Sequence, residues 1–125
     1  MAIIQKEVEL IGSKGEIREI VLFDSGSTYS CIRKDLAERL GLIDTLPKPL
    51  KLETAEEEKF LTVKEVVRLM FLLNGYEFSD EFIVVDRLSE KAITGAGALQ
   101  KWRLKLDFEH DDIIIDPRVT RLRLL

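Results

Sequence analysis

Ile20-Val21-Leu22-Phe23-Asp24-Ser25-Gly26-Ser27-Thr28 drives an apolar run straight into a carboxylate, a glycine and three hydroxyls. Such a run reads as a strand that ends in a loop. A carboxylate at that junction can be held out by backbone N–H groups. Gly26 lets an amide approach closely, and Ser25 and Ser27 can donate or accept hydrogen bonds. The same residues also fit an ordinary turn in which Asp24 is a cap, so the neighbouring sequence has to separate the two readings.

Upstream, residues 4–10 form a half-buried strand that joins residues 16–23 through the turn Gly12-Ser13-Lys14-Gly15, giving a hairpin that runs into Asp24. Downstream, Ile32, Leu36 and Leu40 recur every four residues, which predicts a helix with Ser30 as N-cap and Gly41 as its C-terminal stop. Pro47 and Pro49 impose an extended passage. Residues 50–54 and 60–63 read as two short strands, and residues 66–73 and 76–85 as a hairpin around Asn74-Gly75. Ala92-Ile93-Thr94-Gly95 repeats, weakly, the pattern of a strand reaching a glycine, with a short helical stretch after it. Strands at 104–108 and 113–116 flank a polar turn, and a last strand is expected at 119–125.

The chain has 125 residues, 34% charged and 46% hydrophobic, with a net charge of −4. That length predicts one domain, residues 1–125, with one core. A pI near 5.1 argues against nucleic-acid binding, which needs a basic face. The longest apolar run, residues 69–73, is far too short to span a membrane, so no membrane partner is expected. The N-terminus lacks the order of a signal peptide, and the single cysteine, Cys31, cannot form an internal disulfide. Both point to the cytoplasm. Because the strand pattern follows Met1 almost at once, the chain is expected to be an independent product and not a polyprotein segment.

Three pieces in this order carry a family resemblance: Val21-Leu22-Phe23-Asp24-Ser25-Gly26-Ser27-Thr28, Ile93-Thr94-Gly95-Ala96-Gly97-Ala98-Leu99 and Leu104-Lys105-Leu106-Asp107-Phe108. Together they make the chain similar to the retropepsin-like aspartic proteases over residues 16–116. The resemblance implies an all-β, closed acid-protease barrel with one short α-helix, assembled as a symmetric homodimer. It implies an aspartic endopeptidase acting on peptide or protein, with Asp24 catalytic and contributed by each subunit, and with no metal and no cofactor. Ser25, Gly26, Ser27 and Thr28 would support the loop. Ser25 would bond across the dimer axis, Gly26 would offer its amide to the carboxylate, and Ser27 would bond its outer oxygen. Ile93, Thr94 and Gly95 would buttress that loop, and Asp107 matches a structural position.

The departure from the family is at the flap. By order, the hairpin over residues 50–63 should close on substrate, yet its tip, Thr54-Ala55-Glu56-Glu57-Glu58, has no glycine. It reads first as a solvated acidic turn. As a lid it would be stiff, would favour basic peptides and would raise the apparent pKa values of nearby carboxylates. That tip favours a rival: a non-catalytic dimerisation or peptide-binding module on the same fold. A second rival is an unrelated small barrel in which Asp24 only caps.

Other residues offer less. Cys31 lacks a neighbouring base and reads as a small buried hydrophobe. Glu109-His110-Asp111-Asp112 lacks metal-ligand spacing and reads as a solvated turn. Trp102 and Tyr29 suit either a substrate groove or packing. The basic, amphipathic tail reads as an edge strand and, with the N-terminal strand, as a dimer element.

Overall fold

The computed structural model describes residues 3–54 and 59–124. β1 (Ile3–Ile11) and β2 (Glu16–Asp24) pair antiparallel from Ile3 against Asp24 to Ile11 against Glu16. The turn closes with the Gly12 N–H on the Gly15 carbonyl at 2.8 Å. Along β1 the alternation buries Ile4, Val8 and Leu10 and leaves their neighbours at least partly in solvent.

The remaining strands are β3 (Cys31–Arg33), β4 (Ile43–Glu53), β5 (Phe60–Leu73), β6 (Tyr76–Val85) and β7 (Ala92–Thr94). Their order is β1-β2-β7-β3-β6-β5-β4. β1 also pairs with β5, Leu10 lying against Phe71, so six strands close into a ring with β4 attached outside it. β5 makes this possible through its length. Val66 to Leu73 pair with β6 along one edge; the other edge serves β4 first and β1 afterwards. The two strands expected at 60–63 and 66–73 are therefore one. β4 is an outer strand, and Pro47 and Pro49 withhold N–H groups from its edge, next to a register shift between Thr45 and Leu50.

Asn74 and Gly75 both take positive φ, 51° and 83°, as a two-residue hairpin turn requires. The helices depart from expectation. α1 (Lys34–Leu40) begins after Cys31–Arg33, which form a strand between β6 and β7, so Ser30 is not its cap. Tertiary pairing overrides the four-residue spacing at Ile32, whose side chain is fully buried from a strand. Gly41 ends the helix in extended conformation, φ −160°, so no left-handed stop is formed. A second helix, α2 (Ala96–Lys101), forms where the residues after Gly95 read as a short helical stretch, and makes the fold a mostly-β six-stranded barrel with two short helices where the resemblance implied one.

β8 (Lys105–Asp107) and β9 (Asp112–Ile114) form a separate hairpin. The tail is not a strand: Pro117–Thr120 form a 3₁₀ turn whose first amide groups include Arg118 N–H, which donates to Asp116. Proline at the first position and an aspartate before it favour that turn over an extended chain. Leu122 and Leu124 beyond it are almost fully exposed.

The barrel is filled by Phe23, Phe71, Phe78 and Trp102, whose rings follow one another at 6.0, 5.3 and 5.5 Å between centroids. Each such burial contributes about 1.5–3 kcal/mol. Trp102 is thus a core residue, its indole N–H donating to the Ser79 carbonyl at 2.9 Å. Among the described residues no helix is long and apolar enough to cross a membrane.

Candidate active site

Asp24 is the last residue of β2, and β2 runs parallel to β7 with Leu22 beside Ile93 and Phe23 beside Thr94. Both strands end at the same level, so the loop after Asp24 lies against the start of α2. The Gly26 N–H donates to Asp24 Oδ1 at 2.8 Å, and the Ser27 N–H donates to the Asp24 carbonyl at 3.2 Å. Asp24 is buried, 9% exposed as a residue, at the base of a loop whose next residues, Ser25 and Gly26, are exposed.

The next residues are strapped to the segment after β7. The Ala96 N–H donates to the Ser27 carbonyl at 2.6 Å, and the Gly97 N–H to the Thr28 carbonyl at 3.3 Å. Gly95 makes this approach possible: a Cβ there would stand 2.5 Å from the Tyr29 carbonyl oxygen. Its N–H donates to Ser30 Oγ at 3.0 Å. Ile93, half-buried, is the register partner of Cys31. Thr94 points inward, and its hydroxyl has no hydrogen-bond partner among the described residues.

Ser27 differs from expectation. Its hydroxyl donates to the Tyr29 carbonyl at 2.7 Å and so tightens the loop instead of meeting the carboxylate. Ser25 is exposed beside an apolar groove walled by Leu99, Leu104 and Leu106. Tyr29 is 43% exposed at the end of the loop.

The hairpin expected to close on substrate is formed by β4 and β5. Leu50 lies opposite Val63 and Leu52 opposite Leu61, which stays partly exposed. Leu50, Leu52 and Val63 pack with Val85, Leu88, Cys31 and Ile83 into a small apolar cluster separate from the barrel core. The Thr54 N–H and hydroxyl both reach the Lys59 carbonyl, at 3.0 and 3.1 Å. Ala55, Glu56, Glu57 and Glu58 lie outside the described residues. The cluster escaped the sequence reading because its members come from four separated stretches; the alternation at Leu50 and Leu52 was the one local sign of it.

Cys31 packs against this cluster. Burial, and secondly the charge of Asp24, push its thiol up to about 11, which makes it a poor nucleophile at neutral pH. His110 is engaged elsewhere, its Nδ1 2.8 Å from Asp107 Oδ2 on the β8–β9 hairpin. Hydrogen bonding to His110 holds the Asp107 carboxyl below its usual range. Asp107, Glu109 and His110 are close enough to meet a cation, but Asp107 also accepts the Glu109 and His110 amides, which accounts for it as a turn residue.

A closed β-barrel that presents one Asp-Ser-Gly carboxylate on a glycine-braced loop is a retropepsin-like fold. The chain belongs to the retroviral aspartyl protease family, which it matches over residues 4–121. Among solved structures it is similar to the retroviral protease-like domain of Ddi1 from Leishmania major. That match has 19% identity and a TM-score of 0.66, and covers 94% of this chain and 90% of the other. No curated protein sequence matches it significantly.

Proposed function

We propose that the protein is an aspartic endopeptidase that works as a symmetric homodimer, with Asp24 supplied by each chain. The observation that carries this reading is the presentation of Asp24: a carboxylate at a strand end, held by the Gly26 amide and braced from residues 95–97. A chain with one such loop offers one carboxylate, and a two-fold axis is the simplest way to bring in the second. The apolar groove beside Ser25 suits burial against that second copy.

The chemistry follows from the pair, by the argument long applied to aspartic proteases as a class. Two carboxylates about 3 Å apart cannot both ionise, so they share a proton. The ionised member takes a proton from a bridging water, which attacks the peptide carbonyl. The protonated member donates to the carbonyl oxygen, and the roles exchange as the amine leaves. The chemistry of the residues calls for no cofactor.

The test is incubation of the purified protein with a mixed peptide library from pH 3 to 7, beside Asp24→Asn. Cleavage by the wild type that Asp24→Asn abolishes is expected. Undiminished cleavage by Asp24→Asn would refute the assignment. Cleavage by neither protein, with the dimer retained, would favour the binding module.

A further inference from the structure

Ser30, 3% exposed at the end of the loop after Asp24, has a hydroxyl that joins two parts of the fold that are far apart in sequence. It donates to Asp80 Oδ2 on β6 at 2.5 Å and accepts from the Gly95 N–H at 3.0 Å. Its carbonyl accepts the Ile83 N–H at 2.9 Å. Gly95 in turn opens the segment whose amides hold the Ser27 and Thr28 carbonyls. The links run from Asp80 through Ser30 and Gly95 to the loop that presents Asp24.

We propose that Asp80 and Ser30 are positioning residues for the Asp24 loop, an inference that rests on the protease reading above. The polarity of the chain explains why a carboxylate is used. An ionised carboxylate can only accept, so the single Ser30 proton points to Asp80 and leaves an oxygen lone pair for Gly95. Both Asp80 oxygens are engaged, since Oδ1 accepts the Glu81 N–H at 2.9 Å. Asparagine offers one acceptor where aspartate offers two. If its oxygen meets Ser30, its NH₂ opposes the Glu81 amide; if it turns over, its NH₂ faces Ser30 and the Ser30 proton loses its acceptor. Either way a near-isosteric change loosens the anchor of the catalytic loop without removing volume.

The experiment follows amide hydrogen exchange by NMR on the full chain, wild type against Asp80→Asn, Ser30→Ala and Ser30→Thr, with peptide turnover measured in parallel. Protection of the Gly95 and Ala96 amides should fall about tenfold or more in the first two variants, relative to amides of β1 and β5. Where the library yields a cleaved peptide, kcat should fall about 10- to 100-fold while KM stays within about twofold. Ser30→Thr, which keeps the hydroxyl, should preserve both. Wild-type protection at Gly95 and Ala96 in Asp80→Asn would overturn the proposal. So would a loss spread evenly over the sheet, or an unchanged kcat despite local loosening. Should Ser30→Ala fail to fold, Asp80→Asn decides alone. If the wild type cleaves nothing, the protease reading fails, and the exchange arm still tests whether Asp80 and Ser30 hold the loop.

Discussion

A methyl group added at Gly95 would stand 2.5 Å from the Tyr29 carbonyl oxygen and 2.7 Å from that of Ser27. Both are backbone atoms, so neither can rotate out of the way. Ordinary contact begins at 3.4 Å, so the loop has to retreat by about 0.7–0.9 Å. That movement strains the 2.6 Å bond from Ala96 N–H to the Ser27 carbonyl and shifts the segment that follows Asp24. Overpacking of this kind costs about 1–3 kcal/mol. A displacement approaching 1 Å at a reacting group lowers turnover by up to about 100-fold. The control is Gly97→Ala, where the new methyl meets only the Thr28 carbonyl at 3.5 Å. Alanine in helix α2 should be neutral or stabilising there, by up to about 1 kcal/mol. Urea unfolding can be followed by the fluorescence of the one tryptophan, Trp102, which is buried in the core. Peptide turnover is read on the same samples. Gly95→Ala within about 0.5 kcal/mol of wild type, with unchanged turnover, would refute the close-packed loop.

Two further outcomes follow from buried groups. Thr94→Val removes a buried hydroxyl without a partner among the described residues and should stabilise the fold by roughly 1–2 kcal/mol in the same urea assay; a loss of stability would mean that the hydroxyl is satisfied. The Cys31 thiol, raised from 9.0 to about 11, keeps its proton in the folded protein while the unfolded chain releases it, so its stabilising contribution is complete below pH 9 and is lost between pH 9 and 11. Urea midpoints of wild type and Cys31→Ala should therefore converge as pH rises through that window, and parallel pH profiles would contradict the burial of the thiol.

Much of this architecture is legible where the signal is local. The run into Asp24-Ser25-Gly26 ends a strand, and Asn74-Gly75 makes the turn its chemistry demands. What escaped is long-range. Ser30 reads as a helix cap because Ile32, Leu36 and Leu40 follow it at helical spacing. Its actual partners, Asp80 and Gly95, are 50 and 65 residues away, and nothing near Ser30 announces them. Ile32 has a spacing that suits a helix, but it fills a gap between β6 and β7. The tail alternates as a strand would, yet among the described residues no strand pairs with it, and Asp116 and Pro117 start a 3₁₀ turn instead. The continuity of β5 was hidden by Lys64 and Glu65, polar residues that interrupt the apolar run where the strand changes partners.

The central claim is that two chains make one site, and mixing subunits tests it most directly. Wild-type protein is equilibrated with increasing amounts of Asp24→Asn, and peptide hydrolysis is expressed per wild-type chain. If both carboxylates are needed, only wild-type pairs cleave, and activity per wild-type chain falls to about half in an equal mixture. Activity per wild-type chain that stays constant at every ratio would show that each chain acts alone, and would contradict the shared site.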